Sequence, residues 1–267
     1  MEIIKQSDNL EFMSTIDDNS VDLIYCDILY GTGRDFGDYI DLSSNKDEIE
    51  KHYIPRLKQM FRILKNSGSI YLQMDYRISH WVRCIMDDIF GYDNFRREII
   101  WDVTVLSGYK TMANNWILAH QNIYFYSKSS QFIFNKLKQP HTQKYLESFN
   151  KIDENGENYF TAHKKNHYLK DAIRKGKVIG DVWNDIKSFQ QQPTATERKL
   201  WKYETQKPET LLNRIIMASS NEGDLVADFY CGSGVTPSVC KQLNRNFIGC
   251  DISQKAVDIT KRRLGIN

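Results

Sequence analysis

Residues 22–33 read DLIYCDILYGTG: an apolar run that ends in a carboxylate, Asp27, followed by Ile28, Leu29, an aromatic, Tyr30, and a Gly-Thr-Gly turn. An acceptor-only group and a flat ring at the rim of a buried strand can do chemistry only if a ligand meets them there. A second stretch, LVADFYCGSGVT (residues 225–236), runs from a strand pattern into a Gly-x-Gly turn at Gly232 and Gly234 and then into a helix pattern. Glycines at a strand-to-helix turn let a ligand approach the backbone closely. Seventeen residues beyond Gly234, FIGCD ends a further strand in Asp251. An acid at that spacing suits hydrogen bonds to the two hydroxyls of a ribose. The loop has no third glycine and no basic cluster awaiting phosphates, so an adenosine-containing ligand without a pyrophosphate fits better than a dinucleotide. S-adenosylmethionine is such a ligand.

These residues need strands and helices to position them. VDLIYCD, GSIYLQMD, REIIWDV and NIYFYSK have the short β-rich apolar character of buried strands. Ile49, Tyr53, Leu57, Met60, Phe61 and Leu64 follow helical spacing up to a stop at Asn66-Ser67-Gly68, with Pro55 predicting a kink or two short helices. Ile78, Trp81, Val82, Ile85, Met86 and Ile89 make a second amphipathic helix, stopped by Gly91. Leu211, Leu212, Ile215 and Ile216 form one apolar stripe behind Pro208. Alternation of strand and helix predicts an α/β, doubly wound, Rossmann-like sheet. Between residues 129 and 200 the pattern weakens into a polar, Lys- and Gln-rich stretch, the signature of an inserted subdomain with mobile loops.

Composition bounds the rest. The 267 residues are 41% hydrophobic, enough for one large domain or one domain with a sizeable insertion. No run of 18 apolar residues and no signal-like N-terminus occurs, which predicts a cytoplasmic protein without a membrane span. Cys26, Cys84, Cys231, Cys240 and Cys250 are odd in number and form no CxxC pair, so neither a disulfide framework nor a metal site is expected. Net charge is only +2, yet residues 161–207 hold eleven Lys and Arg against five Asp and Glu. A basic middle segment on a mildly acidic body suggests a polyanion partner.

Together the motifs resemble one family, the β-class amino-methyltransferases of DNA. DFYCGSGVT is similar to that family's DPFxGSGTT cofactor loop, TQKPETLLNRII to TQKPxxLLxRII, DILYGTG to DPPYNTG, and HQNIYFYSK to HEYILVYSK. The order, catalytic motif first and cofactor loop last, is the circularly permuted order that defines the class. The resemblance covers about residues 20–128 and 200–265. It implies a catalytic half over 1–128, a target-recognition insertion over 129–200 and a cofactor-binding half over 201–267.

The resemblance also implies roles. Asp27 with the Ile28 backbone carbonyl would accept both protons of an adenine N6 amine, and Tyr30 would stack on a base flipped out of the duplex; Leu29 completes the motif. S-adenosylmethionine would be held by Lys207, Asp228, Phe229, Tyr230, Cys231, Gly232, Ser233, Gly234, Asp251 and Ile252. Cys231 reads as a packing residue. Arg34, Lys164, Lys165, Arg174 and Lys175, with Lys177, are the expected phosphate contacts. Double-stranded DNA is the implied partner; a cognate restriction endonuclease and a homodimer are further expectations.

Departures from the family pattern are informative. Ile28 and Leu29 stand where the family keeps two prolines, which predicts a looser loop. A double substitution back to proline is then expected to match or exceed the natural rate. His120-Gln121 replaces His-Glu. A cytosine-C5 enzyme would need a Pro-Cys pair, which the chain lacks. A cytosine-N4 enzyme, usually with Ser at the first motif position, and a catalytically weak DNA-binding relative are the alternatives.

Overall fold

The computed structural model describes residues 1–37, 39–105, 108 and 112–266. In chain order the first half contains β1 (Glu2–Gln6), α1 (Asn9–Ser14), β2 (Val21–Asp27), α2 (Lys46–Ile63), β3 (Leu64–Met74), α3 (Tyr76–Phe90), β4 (Phe95–Asp102) and β5 (His120–Ser127). A separate compact unit, Lys136–Gly180, contains β6 (Lys138–Gln139), α4 (Gln143–Leu146), β7 (Lys151–Ile152), β8 (Asn158–Ala162), β9 (Lys165–Tyr168), α5 (Leu169–Lys175) and β10 (Lys177–Val178). The main unit resumes with β11 (Val182–Trp183), α6 (Thr196–Trp201), α7 (Glu209–Ser219), β12 (Leu225–Asp228), α8 (Val235–Gln242), β13 (Asn246–Asp251) and α9 (Gln254–Leu264).

The main unit is an eight-stranded sheet in the order β1-β13-β12-β2-β3-β5-β4-β11. Pairs from β1 through β3 are parallel, β5 runs antiparallel to β3 and β4, and β11 returns parallel to β4. Strands from the two halves of the chain therefore meet inside the sheet, where Ile24 lies beside Ala227.

Alternation of side chains decides which helices cover which face. Ile24, Cys26, Ile70, Leu72 and Ile248 share one buried core with residues of α1, α2 and α3. The alternate residues face the other way: the Tyr71 hydroxyl lies 2.7 Å from Ser219 Oγ on α7. Helices α7, α8 and α9 pack together on that side. Both faces of β2 are covered, as its unbroken apolar run requires.

Two expectations are corrected. Helix α2 is one continuous helix through Pro55. Ile49, Tyr53, Leu57, Met60 and Ile63 are buried along one face, and this packing outweighs the one backbone bond that proline removes. The chain also leaves the helix before Leu64, which opens β3, and Gly68 lies inside that strand rather than ending the helix. A Cβ at Gly68 would come 2.9 Å from the Asp22 carbonyl, so glycine permits the close approach of β3 to β2.

The independently packed insertion is narrower than 129–200. Residues 129–135 and 181–200 belong with the sheet: Trp183 pairs with Trp101, and the Trp101 indole donates to the Ile186 carbonyl at 2.8 Å. Within Lys136–Gly180, β7, β8 and β9 form an antiparallel sheet. Its two-residue turn, His163-Lys164, has both φ angles positive, the type I′ geometry that matches strand twist. Phe149 packs edge-on against Phe160, giving this unit a small aromatic core. Among the described residues no helix is long and apolar enough to cross a membrane, and no group of three or more His, Cys, Asp or Glu could hold a metal ion.

Candidate active site

Parallel strands place their carboxyl ends on one edge, and three of them end in acids. Asp27 closes β2, Asp228 closes β12 and Asp251 closes β13. All three line one cleft of about 660 Å³ within the main unit, together with Ile28, Leu29, Tyr30, Lys207 and the turn Phe229–Ser233. That volume suits a nucleoside-sized ligand. The residues expected to meet a cofactor and those expected to meet a substrate therefore share one cavity, although they come from opposite ends of the chain.

The side expected to meet a cofactor is a backbone cradle. Gly232 and Gly234 have φ of +50° and +73°, and a Cβ at Gly234 would lie 2.6 Å from the Thr260 side chain. Glycine is thus required by both conformation and space. Asp251 fixes the turn: its Oδ2 accepts the Gly232 N–H at 2.8 Å and its Oδ1 the Ser253 N–H at 2.9 Å. A carboxylate is an acceptor-only group, the type that ribose hydroxyls donate to. These residues fit an adenosyl ligand. Cys231 is buried, its Sγ 3.1 Å from the Asp228 carbonyl, in keeping with a packing role.

Asp228 is fully enclosed, and burial pushes its carboxyl up to about 7, against the opposing hydrogen bonds from Thr236 and the Tyr230 N–H. Between its ordinary value near 4 and 7 the folded state holds a proton that the unfolded state has lost. Its contribution to stability therefore falls as pH rises through that window. Asp228→Asn cannot titrate, so its melting temperature should drop less between pH 5 and 8 than that of the natural protein, by several degrees at roughly 2–4 °C per kcal/mol. Equal pH dependence by calorimetry would contradict this assignment.

The side expected to meet a substrate is a network. Tyr30 OH lies 2.7 Å from Asp27 Oδ1 and 3.0 Å from Gln121 Oε1. Its single proton belongs to the shorter, charged contact. Gln121 Oε1 accepts from Gln73 Nε2, and Gln73 Oε1 accepts the Tyr25 hydroxyl at 2.7 Å. Burial and the adjacent Asp27 push the Tyr30 phenol well above its ordinary value, so it stays a donor. Lys207 Nζ pairs with Asp27 Oδ2 and lies 5.5 Å from the Tyr30 ring centre. Gln121 carries only a weak signal in the sequence; its role becomes visible because β5 runs beside β3 and brings it to Tyr30.

The motif loop is anchored rather than loosened. The Ile28 N–H donates to the Gln73 carbonyl at 3.1 Å, continuing the β2–β3 ladder, and the Ile28 side chain is 2% exposed in the core. Leu29 carbonyl accepts the Tyr53 hydroxyl at 3.0 Å. The turn beyond is held by Asp41, which accepts the Gly31 and Thr32 N–H groups at 3.2 and 2.8 Å. This anchoring runs against a neutral or faster proline revertant. Ile28→Pro removes a donor and strands a buried carbonyl, a cost of about 1–3 kcal/mol. Ile28→Pro with Leu29→Pro should melt several degrees lower and transfer more slowly; natural stability and rate in that variant would show the Ile28 bond to be dispensable.

Of the expected phosphate contacts, Arg34 lines the cleft and pairs with Glu204 at 3.0 Å. Lys164, Lys165, Arg174 and Lys175 all lie in the separate 136–180 unit, with Lys164 at the β8–β9 turn. Arg174 is paired to Asp171 at 2.7 Å, so part of the local positive charge is already compensated.

A largely parallel α/β sheet with a glycine turn and three strand-end carboxylates lining one cleft matches the methyltransferase fold. The chain belongs to the DNA methylase family of N6 and N4 methyltransferases, whose model matches residues 21–262. It is 31% identical over 260 residues to the Type II methyltransferase M.HpaI of Haemophilus parainfluenzae, covering 97% of this chain and 72% of that protein. It is 26% identical over 268 residues to the DNA adenine methyltransferase YhdJ of Escherichia coli (strain K12), covering 98% and 82%. Its fold is similar to that of the M1.HpyAVI–SAM complex, with a TM-score of 0.64 at 19% identity over the whole of both chains.

Proposed function

We propose that this chain transfers a methyl group from S-adenosylmethionine to the N6 amine of an adenine flipped from duplex DNA at a specific sequence, in the cytoplasm, as the modification partner of a restriction endonuclease. The observation that carries the reading is the shared cleft, in which Asp27 faces the space beside the Gly232 cradle. When bound, the cofactor supplies an electrophilic methyl group on a sulfonium. Asp251 and the glycine turn hold its adenosine. Asp27 and the Ile28 carbonyl accept the two amine protons, which turns the nitrogen lone pair out of conjugation with the ring. Tyr30 supports the base and fixes the Asp27 carboxylate through its hydroxyl. Rate enhancement on this reading is positioning and electrostatics, without a covalent enzyme intermediate.

An acid at the first motif position favours adenine over cytosine. Nucleoside analysis by mass spectrometry of DNA from cells making this chain tests the choice. N6-methyladenine is expected; N4-methylcytosine would replace the substrate assignment, and no modified base would overturn the reading.

Duplex binding falls to the basic 136–180 unit. Phosphate contacts release counterions, so affinity should fall steeply with salt. Replacing Lys164, Lys165, Arg174 and Lys175 by Gln should flatten the slope of log affinity against log salt by about 3, at roughly 0.9 per phosphate contact for the charges not already paired. S-adenosylmethionine affinity should not change. An unaltered slope would make this charge run a solvated face.

A further inference from the structure

Residues 203–207 touch both halves of the cleft. At the start of the segment the Tyr203 ring covers the glycine turn: a Cβ built on Gly232 would come 3.3 Å from it. At the end, four residues on, the Lys207 ammonium pairs with Asp27 Oδ2 and donates to the Thr205 carbonyl at 3.1 Å. Side-chain exposure of this ion pair is 11% for Lys207 and 18% for Asp27. An ammonium so enclosed needs a counter-charge, and here Asp27 is that counter-charge. With the Tyr30 hydroxyl on Oδ1 and Lys207 on Oδ2, both oxygens of Asp27 carry donors from the chain itself. The same carboxylate is the acceptor that the target amine needs.

We infer that Lys207 is a positioning residue that couples cofactor occupancy to the availability of Asp27. Resting on the methyltransferase reading above, the inference adds how its site is regulated. Without cofactor, the ammonium holds Asp27 closed. The amino-acid tail of S-adenosylmethionine carries a carboxylate, a second counter-charge for the same ammonium. As Lys207 turns toward that carboxylate, Asp27 Oδ2 is released to the amine of the target base. No bond is made or broken; one ion pair is exchanged for another. Target engagement therefore follows cofactor binding, and linkage makes the coupling reciprocal.

Two non-reactive nucleosides separate the contributions. S-adenosylhomocysteine keeps the amino-acid tail, and 5′-methylthioadenosine lacks it. Affinity for a duplex carrying the mapped target is measured by equilibrium binding with each compound at saturation. In the natural protein S-adenosylhomocysteine should tighten target binding at least about fivefold, the lower end of usual couplings, and methylthioadenosine should not. In Lys207→Met the difference between the two compounds should collapse. Lys207→Arg, which keeps the charge and guards against a folding artefact, should restore it. Asp27→Asn should also abolish the difference, because the ammonium then has no carboxylate to leave. Equal coupling by both compounds in the natural protein, or a difference that persists in Lys207→Met, overturns the inference alone. Failure to bind either compound or DNA overturns the methyltransferase reading and the inference with it, and direct calorimetry of the nucleosides tells the two cases apart.

Discussion

Asp27→Asn is expected to lower methyl transfer by about 10²–10³-fold, the usual loss when one preorganised hydrogen-bonding group is removed from a reacting centre. The substitution keeps shape. The introduced amide can still accept from Tyr30 through its oxygen at the Oδ1 position, where the natural contact is 2.7 Å. At the Oδ2 position it presents an NH2 group that accepts nothing and faces the Lys207 ammonium. One of the two acceptors for the target amine is lost, and the nitrogen lone pair stays conjugated with the ring. Single-turnover transfer from labelled S-adenosylmethionine measures the loss. Cofactor affinity by calorimetry should stay within a factor of a few, because the Gly232 turn is held by Asp251. The unpaired Lys207 lowers stability, so thermal melts must accompany the rates. A variant that is folded and as fast as the natural protein would remove Asp27 from the reaction.

The second large effect is expected at Asp251. Asp251→Ala should weaken S-adenosylmethionine binding about 10- to 150-fold, the equivalent of 1.5–3 kcal/mol for hydrogen bonds to a charged group. Two losses combine. The acceptor for the ribose hydroxyls disappears, and the Gly232 and Ser253 N–H groups lose the carboxylate that orients the cradle. Asp251→Asn keeps one acceptor oxygen and should lie between the two. Saturating cofactor should restore most of the rate to either variant, since Asp27 and Tyr30 are untouched. Affinity within twofold of natural in Asp251→Ala would place the adenosine elsewhere.

Much of this site is legible in the residues alone. Strand-terminal acids and glycine turns are local patterns, and the rule that ligands meet a parallel sheet at its carboxyl ends brings Asp27, Asp228 and Asp251 together whichever half of the chain comes first. Long-range partners are not legible. The Lys207–Asp27 pair joins residues 180 apart, and Gln121 reaches Tyr30 only because β5 enters antiparallel beside β3. Nor can the consequence of Ile28 be read from composition. A proline there would only stiffen a loop whose N–H met solvent, whereas here the Ile28 N–H extends a strand ladder to Gln73. Pro55 misleads for a similar reason: burial along α2 overrides a local helix-breaking preference. The insertion boundaries blur because β11 is only two residues long, too short to leave a periodic signal.

The most direct measurement is on the bond itself. Duplex DNA containing the mapped site, with ¹⁵N at the adenine N6, is turned over once with S-adenosylmethionine carrying a ¹³C methyl group and examined by NMR. The account predicts a one-bond ¹³C–¹⁵N coupling in the product of the natural protein and its near absence in the same time with Asp27→Asn. A ¹³C methyl on any other atom, or coupling that appears equally fast without the Asp27 carboxylate, would contradict it.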